Sequence, residues 1–275
     1  MTSILPPFSN IVAPGVWQTP NAPVLTVDWT NSLTIGLLGC WLPGAMGGID
    51  LTGGLIGQMP FLGGGGGTGI NPDGPSTDSS ATVGGYSTNL PAGSPFLSTT
   101  GLTCFWRGMS KGNGSAFFMQ NGILYGNGSV SPFWSFGFGD GNGTNNSVCF
   151  QYNHSGAASN NQIYATEPFN VMWDICAAAD VTGAGNYFIY RDGSQIFSHS
   201  FESPINYNPP CFFAFDNQMN ARASIVCWWN RQLRADEVME MHLAPYQFII
   251  PAEYDAETLM PIIPPVFILM PQIVT

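Results

Sequence analysis

Charge is scarce in this chain. Asp, Glu, Lys and Arg make up 8% of its 275 residues, about a third of the ~25% usual in soluble domains. The cations are Arg107, Lys111, Arg191, Arg222, Arg231 and Arg234, set against 17 carboxylates for a net charge of −11. Neutralising phosphates takes a basic face, and six scattered cations with a single lysine supply none, so nucleic-acid binding is excluded. Long apolar runs are missing too. Leu33 to Ala45 is short and broken by Gly and Pro, which excludes membrane insertion by a helix. The opening MTSILPPFSN has no basic segment followed by an apolar core, so it does not read as a secretory signal. Synthesis in a cytoplasm is therefore expected, with the cysteines starting as thiols.

Catalytic signatures are absent as well. Sandwich glucanases commonly carry paired carboxylates on one strand as E-x-D-x-E, and no such string occurs. GxSxG is missing, and His154, His199 and His242 have no nucleophile-elbow context. Asp236, Glu237 and Glu240 lie at a helix end, where dipole matching and solvation account for them. The expectation is a non-enzymatic protein without a cofactor. Cys40, Cys104, Cys149, Cys176, Cys211 and Cys227 form no C-x-x-C pair, and no His stands at metal-ligand spacing. All six fall in or beside apolar strand-like runs and read as buried small hydrophobes. Disulfides formed after release from the cell stay open, and the sequence does not pair them.

What is abundant points to β structure. With 34 Gly, 22 Pro, 19 Phe, 9 Tyr and 8 Trp, the chain suits short strands, tight turns and a bulky core. One all-β domain with extended arms is expected. A charge-poor exterior of Asn, Ser, Thr and Gly suits a protein packed against neighbours, the alternative being a secreted domain with a neutral polar surface.

Residues 1–30 hold Pro6, Pro7, Pro14, Pro20 and Pro23, which favour an extended arm, yet Phe8 and Trp17 are too apolar for a free tail. Residues 249–275 form a second proline-broken apolar arm, in which Phe267, Ile268 and Leu269 would aggregate if left in water. Both arms are expected to serve assembly. Between them, residues 31–248 read as the sandwich. From Gly63 a run of five glycines opens a low-complexity insertion at the sandwich rim. Asn186 to Phe197 is a hairpin in which Asp192-Gly193 supplies the positive φ angles of a primed turn.

Near the end, Ser224 to Trp229 is a β-favouring run, Asn230 to Arg234 a polar connector, and Asp236 and Glu237 open a short helix that Pro245 closes. This phrase, WNRQLRADEV followed by PYQF, resembles the last strand and terminal helix of laminin G-like, concanavalin A-type jelly-roll modules. LTIGLLGCWLPG resembles the family's first strand, IDLTGG its follow-on, FNVMWDICAA a middle strand and YRDG its hairpin turn. The resemblance runs from about Leu33 to Tyr246 and is vague between Gln58 and Leu97. It implies a concanavalin A-like jelly-roll β-sandwich with one short C-terminal helix.

The Asp140 to Ser147 stretch carries hard oxygen ligands at Asp140, Asn142, Thr144, Asn145 and Asn146, a weak calcium candidate, best at Asp140, Asn142 and Asn145, that departs from EF-hand spacing and is outweighed by the reading as a plain loop. Five N-x-S/T triplets, at Asn113, Asn127, Asn142, Asn145 and Asn153, read as Asn/Gly-rich turns rather than glycan sites. Trp134, Trp173 and Trp229 are candidates for a sugar-stacking platform, weighed against plain core packing. Of the adjacent Trp228 and Trp229, one is expected in the core and the other facing solvent, the helix or a partner. Sandwiches with this closing phrase and hydrophobic arms look like those of tailed-bacteriophage virions. That resemblance implies a virion structural protein, such as a capsid decoration, working with the major capsid or tail proteins and as a homo-oligomer. The alternative is a tail or fibre adhesin recognising host glycan through rim loops.

Overall fold

The computed structural model describes residues 25–42, 49–52, 61–62, 67–78, 85–90, 100–111, 123–126, 133–138, 147–153, 161–166, 168–180, 182, 185–200, 211–215 and 221–251. The chain begins with β1 (Leu25–Val27), a 3-10 turn at Ser32–Thr34, β2 (Leu37–Leu42), β3 (Ile49–Asp50) and β4 (Phe61–Leu62). It continues through β5 (Gly67–Asn71), β6 (Gly74–Asp78), β7 (Gly85–Leu90), β8 (Gly101–Ser110), β9 (Ile123–Gly126) and β10 (Phe133–Phe138). Then come β11 (Ser147–Asn153), β12 (Asn161–Thr166), β13 (Met172–Asp180), β14 (Asn186–Arg191), β15 (Ser194–Ser200) and β16 (Cys211–Phe215). The last elements are β17 (Ala221–Trp229), helix α1 (Ala235–Leu243) and β18 (Ile249–Pro251).

Two seven-stranded antiparallel sheets build a jelly-roll β-sandwich of the concanavalin A kind. The main sheet runs β15-β14-β13-β8-β17-β2-β3 and the second sheet β12-β11-β10-β9-β16-β7-β4. The all-β fold with one short helix is the one the residues announced.

Along its central strands the main sheet is buried on both faces, while the edge strand β15 is exposed. Alternation sends Trp41, Trp106, Trp173, Ile175, Ile189 and Trp228 to one face, each at 3% exposure or less. The opposite face carries Cys40, Phe105, Cys176, Tyr190, Cys227 and Trp229, which pack with Val238 and Met241 of α1 and with Phe248 and Ile249. This outer layer has three sources. One is α1, and another is the β1–β18 pair, in which Val27 faces Ile249 across the ladder. The third is the β5–β6 hairpin, pinned to β17 by Asn71 Nδ2, which donates to Ser224 Oγ at 2.7 Å.

Residues 25–27 and 249–251 thus lie in the body of the fold, although the sequence reading assigned them to the arms. The glycine-rich insertion likewise does more than decorate a rim, since Gly67–Asn71 and Gly74–Asp78 pair as strands and bury Asn71 and Ser76. Phe8, Trp17, Phe267, Ile268, Leu269, Asp140, Asn142 and Asn145 lie outside the described residues.

The helix forms where the sequence placed it. Leu233 and Val238, both in the core cluster, flank the helix start as a hydrophobic staple. The Glu237 carboxylate accepts the Arg234 backbone N–H at 2.8 Å, satisfying one orphan donor of the first turn. Thr103 Oγ1 fixes the connector: it donates to the Arg231 carbonyl at 2.7 Å and accepts from the Leu233 N–H at 2.9 Å.

Candidate functional site

Two charged residues interrupt apolar strands at facing positions. Arg107 of β8 and Asp174 of β13 are register partners, and both project to the face that α1 covers. A buried charge needs compensation, and the surrounding elements supply it. Asp73, in the β5–β6 turn, grips Arg107 with both carboxylate oxygens, at 2.6 Å from Nε and 3.2 Å from Nη2. Its own backbone N–H donates to Asn71 Oδ1 at 3.0 Å, which shapes the turn. Tyr246, after the helix, donates its hydroxyl to Asp73 Oδ2 at 2.8 Å.

On the other side, Asp174 Oδ2 takes Arg107 Nη1 at 3.3 Å and lies 2.7 Å from Nδ1 of His242 in the last turn of α1. The β14–β15 turn closes the ring. Asp192 and Gly193 carry φ of 49° and 72°, as a primed turn demands. Asp192 Oδ1 accepts the Asp174 N–H at 3.1 Å, and the Asp192 N–H donates to the Asp174 carbonyl at 3.1 Å. A Cβ on Gly193 would stand 2.9 Å from Met239 Sδ and 3.0 Å from His242 Cβ, so the turn also seats against the helix.

Asp174 is 1% exposed. Burial pushes its carboxyl above the ordinary aspartate range, an effect that His242 and Arg107 reduce without cancelling. Burial also works against the Arg107 charge, but the hydrogen bond and charge of Asp73 outweigh it and hold the guanidinium protonated. Burial pushes the Tyr246 hydroxyl well up, and the adjacent Asp73 carboxylate adds to this.

Asp174, Asp192 and His242 offer one ligand atom each within 4.8 Å of one another, a donor set of the type that suits a borderline divalent cation. The Arg107 guanidinium already supplies positive charge to the same Asp174 oxygen that His242 faces. As it stands, the arrangement is an ion-pair relay that clamps helix, hairpin and turn onto one strand pair. A second clamp lies at the other end of the helix, where Arg231 pairs with Glu237 at 2.8 Å and donates Nε to the Ile35 carbonyl at 2.6 Å. Glu237 is therefore held in a buried ion pair, whereas the sequence reading explained it by the helix dipole and solvation.

The proposed sugar platform does not assemble. Trp173 is 1% exposed, packed edge-on against Trp106 with centroids 5.4 Å apart, and its indole N–H donates to Ser110 Oγ at 3.3 Å. Trp229 is 2% exposed and donates its N–H to the Leu33 carbonyl at 2.7 Å. Both are corrected to core residues, because β13 and β17, at the centre of the main sheet, are covered on each face. Trp229 takes the helix side and Trp228 the opposite one, as alternation requires. Trp134 lies in β10, opposite Tyr152 in the ladder with β11, so it is placed by backbone register. Trp29, just after β1, is an aromatic that stands 57% open, and the sequence reading passed over it.

The cysteines at 40, 104, 176 and 227 are buried thiols, as expected.

No known family profile matches the sequence, and no curated protein matches it. Solved structures do share the fold. The binding domain of Paraclostridial Mosquitocidal Protein 1 superposes with a TM-score of 0.57 at 15% identity, covering 78% of this chain and 53% of that one. The binding domain of botulinum neurotoxin DC in complex with rat synaptotagmin II gives 0.55 at 13% identity over 78% and 52%. The same toxin's binding domain in complex with SialylT gives 0.54 at 15% identity over 78% and 52%. The chain spans about half the length of these structures.

Proposed function

We propose that the chain is a non-catalytic recognition module of a virion, in which the sandwich binds host-surface carbohydrate and the proline-rich ends mount it on neighbouring subunits. The observation that carries the recognition half is the shared architecture with binding domains, one of them solved in complex with SialylT. The relay beneath α1 acts as scaffold in this reading. It has a carboxylate and an imidazole in contact, but both serve to hold the helix to the sheet. Recognition then falls to the second sheet, because the central strands of the main sheet are covered on both sides and only its edge strand β15 stands open among the described residues.

A capsid decoration, displayed and packed rather than binding sugar, is the second reading. The low charge and the apolar ends favour it.

The full chain on a glycan array separates the two. Recognition predicts saturable binding that the free sugar competes away, and that falls at least tenfold in Trp134→Ala protein with an unchanged melting profile if that ring forms the platform. Silence across the array overturns the recognition reading and leaves the decoration reading standing.

A further inference from the structure

The ladder pairs two cysteines that the sequence could not. Cys40 of β2 and Cys227 of β17 are direct register partners. Each is fully buried, and both belong to the same core cluster, so their side chains share one face of the sheet. The type of pairing follows from a neighbouring bond. The Cys40 carbonyl accepts the Leu51 N–H at 2.9 Å, and so points away from β17. A strand residue directs its N–H and C=O to the same edge, so Cys40 and Cys227 form a non-hydrogen-bonded pair, the class in which opposite Cα atoms stand about 4.5 Å apart and side chains approach most closely. Disulfides span Cα separations of about 4.4–6.8 Å and Cβ separations of about 3.5–4.5 Å.

We propose that Cys40 and Cys227 are a disulfide-forming pair, a modification site that links the first long strand of the main sheet to its last. Opposite Cβ atoms in such pairs lie toward the near end of about 4.5–5.5 Å, so a small approach of the two strands brings them within disulfide reach. Cys104 and Cys176 offer no competing bridge. Their register partners are Ala177 and Phe105, and alternation puts the two thiols on opposite faces of the sheet.

The oxidant is a small-molecule disulfide such as oxidised glutathione. One thiol loses its proton and attacks the oxidant's S–S bond, forming a mixed disulfide and releasing one glutathione thiolate. The second thiol, likewise deprotonated, displaces the other glutathione thiolate from the protein sulfur. The protein gives up two electrons and two protons, which end on the two released glutathione molecules. Access is through the edge of the sheet, where among the described strands the two-residue β3 alone lies beyond β2, or during folding itself. The bond would form once the chain leaves a reducing compartment, and it would staple the strands over which the β1–β18 pair lies.

The full chain is refolded with oxidised or with reduced glutathione, then alkylated and mapped by peptide mass without reduction. The expected result is a single linked peptide pair containing Cys40 and Cys227, loss of two of the six titratable thiols, and a thermal midpoint several degrees higher that returns on reduction. Cys40→Ser and Cys227→Ser should each abolish the linkage; should either variant fail to fold, the wild-type map alone decides. Six thiols surviving oxidised refolding, or a map to any other pair, overturns the proposal.

Discussion

Replacing Arg107 by Met removes the guanidinium shared by one buried and one half-buried carboxylate. Asp73 has 13% of its side chain exposed and Asp174 has 1%. With the guanidinium gone, Asp73 retains the Tyr246 hydroxyl and Asp174 retains His242, but their mutual repulsion and lost solvation go uncompensated. Breaking a buried pair by deleting one partner costs about 3–5 kcal/mol. Met preserves most of the aliphatic stem, so the loss is electrostatic rather than a cavity. Asp174→Asn should cost less, about 1–3 kcal/mol, because Arg107 keeps its two-oxygen grip on Asp73 while the substitution also relieves the burial penalty of the Asp174 charge. Urea unfolding followed by fluorescence reads both. The prediction is a lower midpoint at unchanged slope, with Arg107→Met the larger effect. The Arg107→Met/Asp174→Leu double variant should recover part of the loss, as buried ion pairs replaced by apolar residues often do. A cost below about 1 kcal/mol for Arg107→Met would refute the claim that this relay holds the outer layer to the sheet.

Thr103→Val should cost about 2–3 kcal/mol, measured by the same unfolding curves, since it strands the buried Leu233 N–H and the Arg231 carbonyl that the hydroxyl serves. Burial works against the Glu237 charge, yet Arg231 and the Arg234 N–H outweigh it and hold the carboxyl below the ordinary glutamate value of 4.5. A depressed folded value means that its contribution is present above 4.5 and is lost as pH falls through the folded value, so Glu237→Gln should flatten the acid limb of stability against pH. Deleting residues 252–275 should leave a folded module, since β18 ends at Pro251, and on the proposed assembly role one that a sedimentation assay finds no longer joins neighbouring subunits. A cut at 249 would instead remove the buried Ile249 and the partner of β1.

The closing helix was legible because its signals are local: carboxylates in the first turn and Pro245 at the end. The Asp192-Gly193 turn was legible for the same reason. The second covered face of the main sheet was not. Beside α1, its cover comes from the short β1–β18 pair and from a hairpin in a glycine-rich stretch, neither of which shows apolar periodicity. Trp173 and Trp229 were misplaced on that account. The relay joins Asp73, Arg107, Asp174, Asp192, His242 and Tyr246 from five separate segments, and each residue alone has a plain explanation. One sequence signal did point to it: Arg107 and Asp174 each break an otherwise apolar strand, and a charge there demands a partner. The register that makes them neighbours exists only in the folded sheet.

Hydrogen exchange of the full chain, with and without the strongest glycan from the array, tests most directly where recognition resides. Added protection is expected in β9, β10, β11 or β16 of the second sheet, with β8, β13, β17 and α1 unchanged because these elements are already covered. Protection centred on the main sheet or on the helix would contradict that expectation.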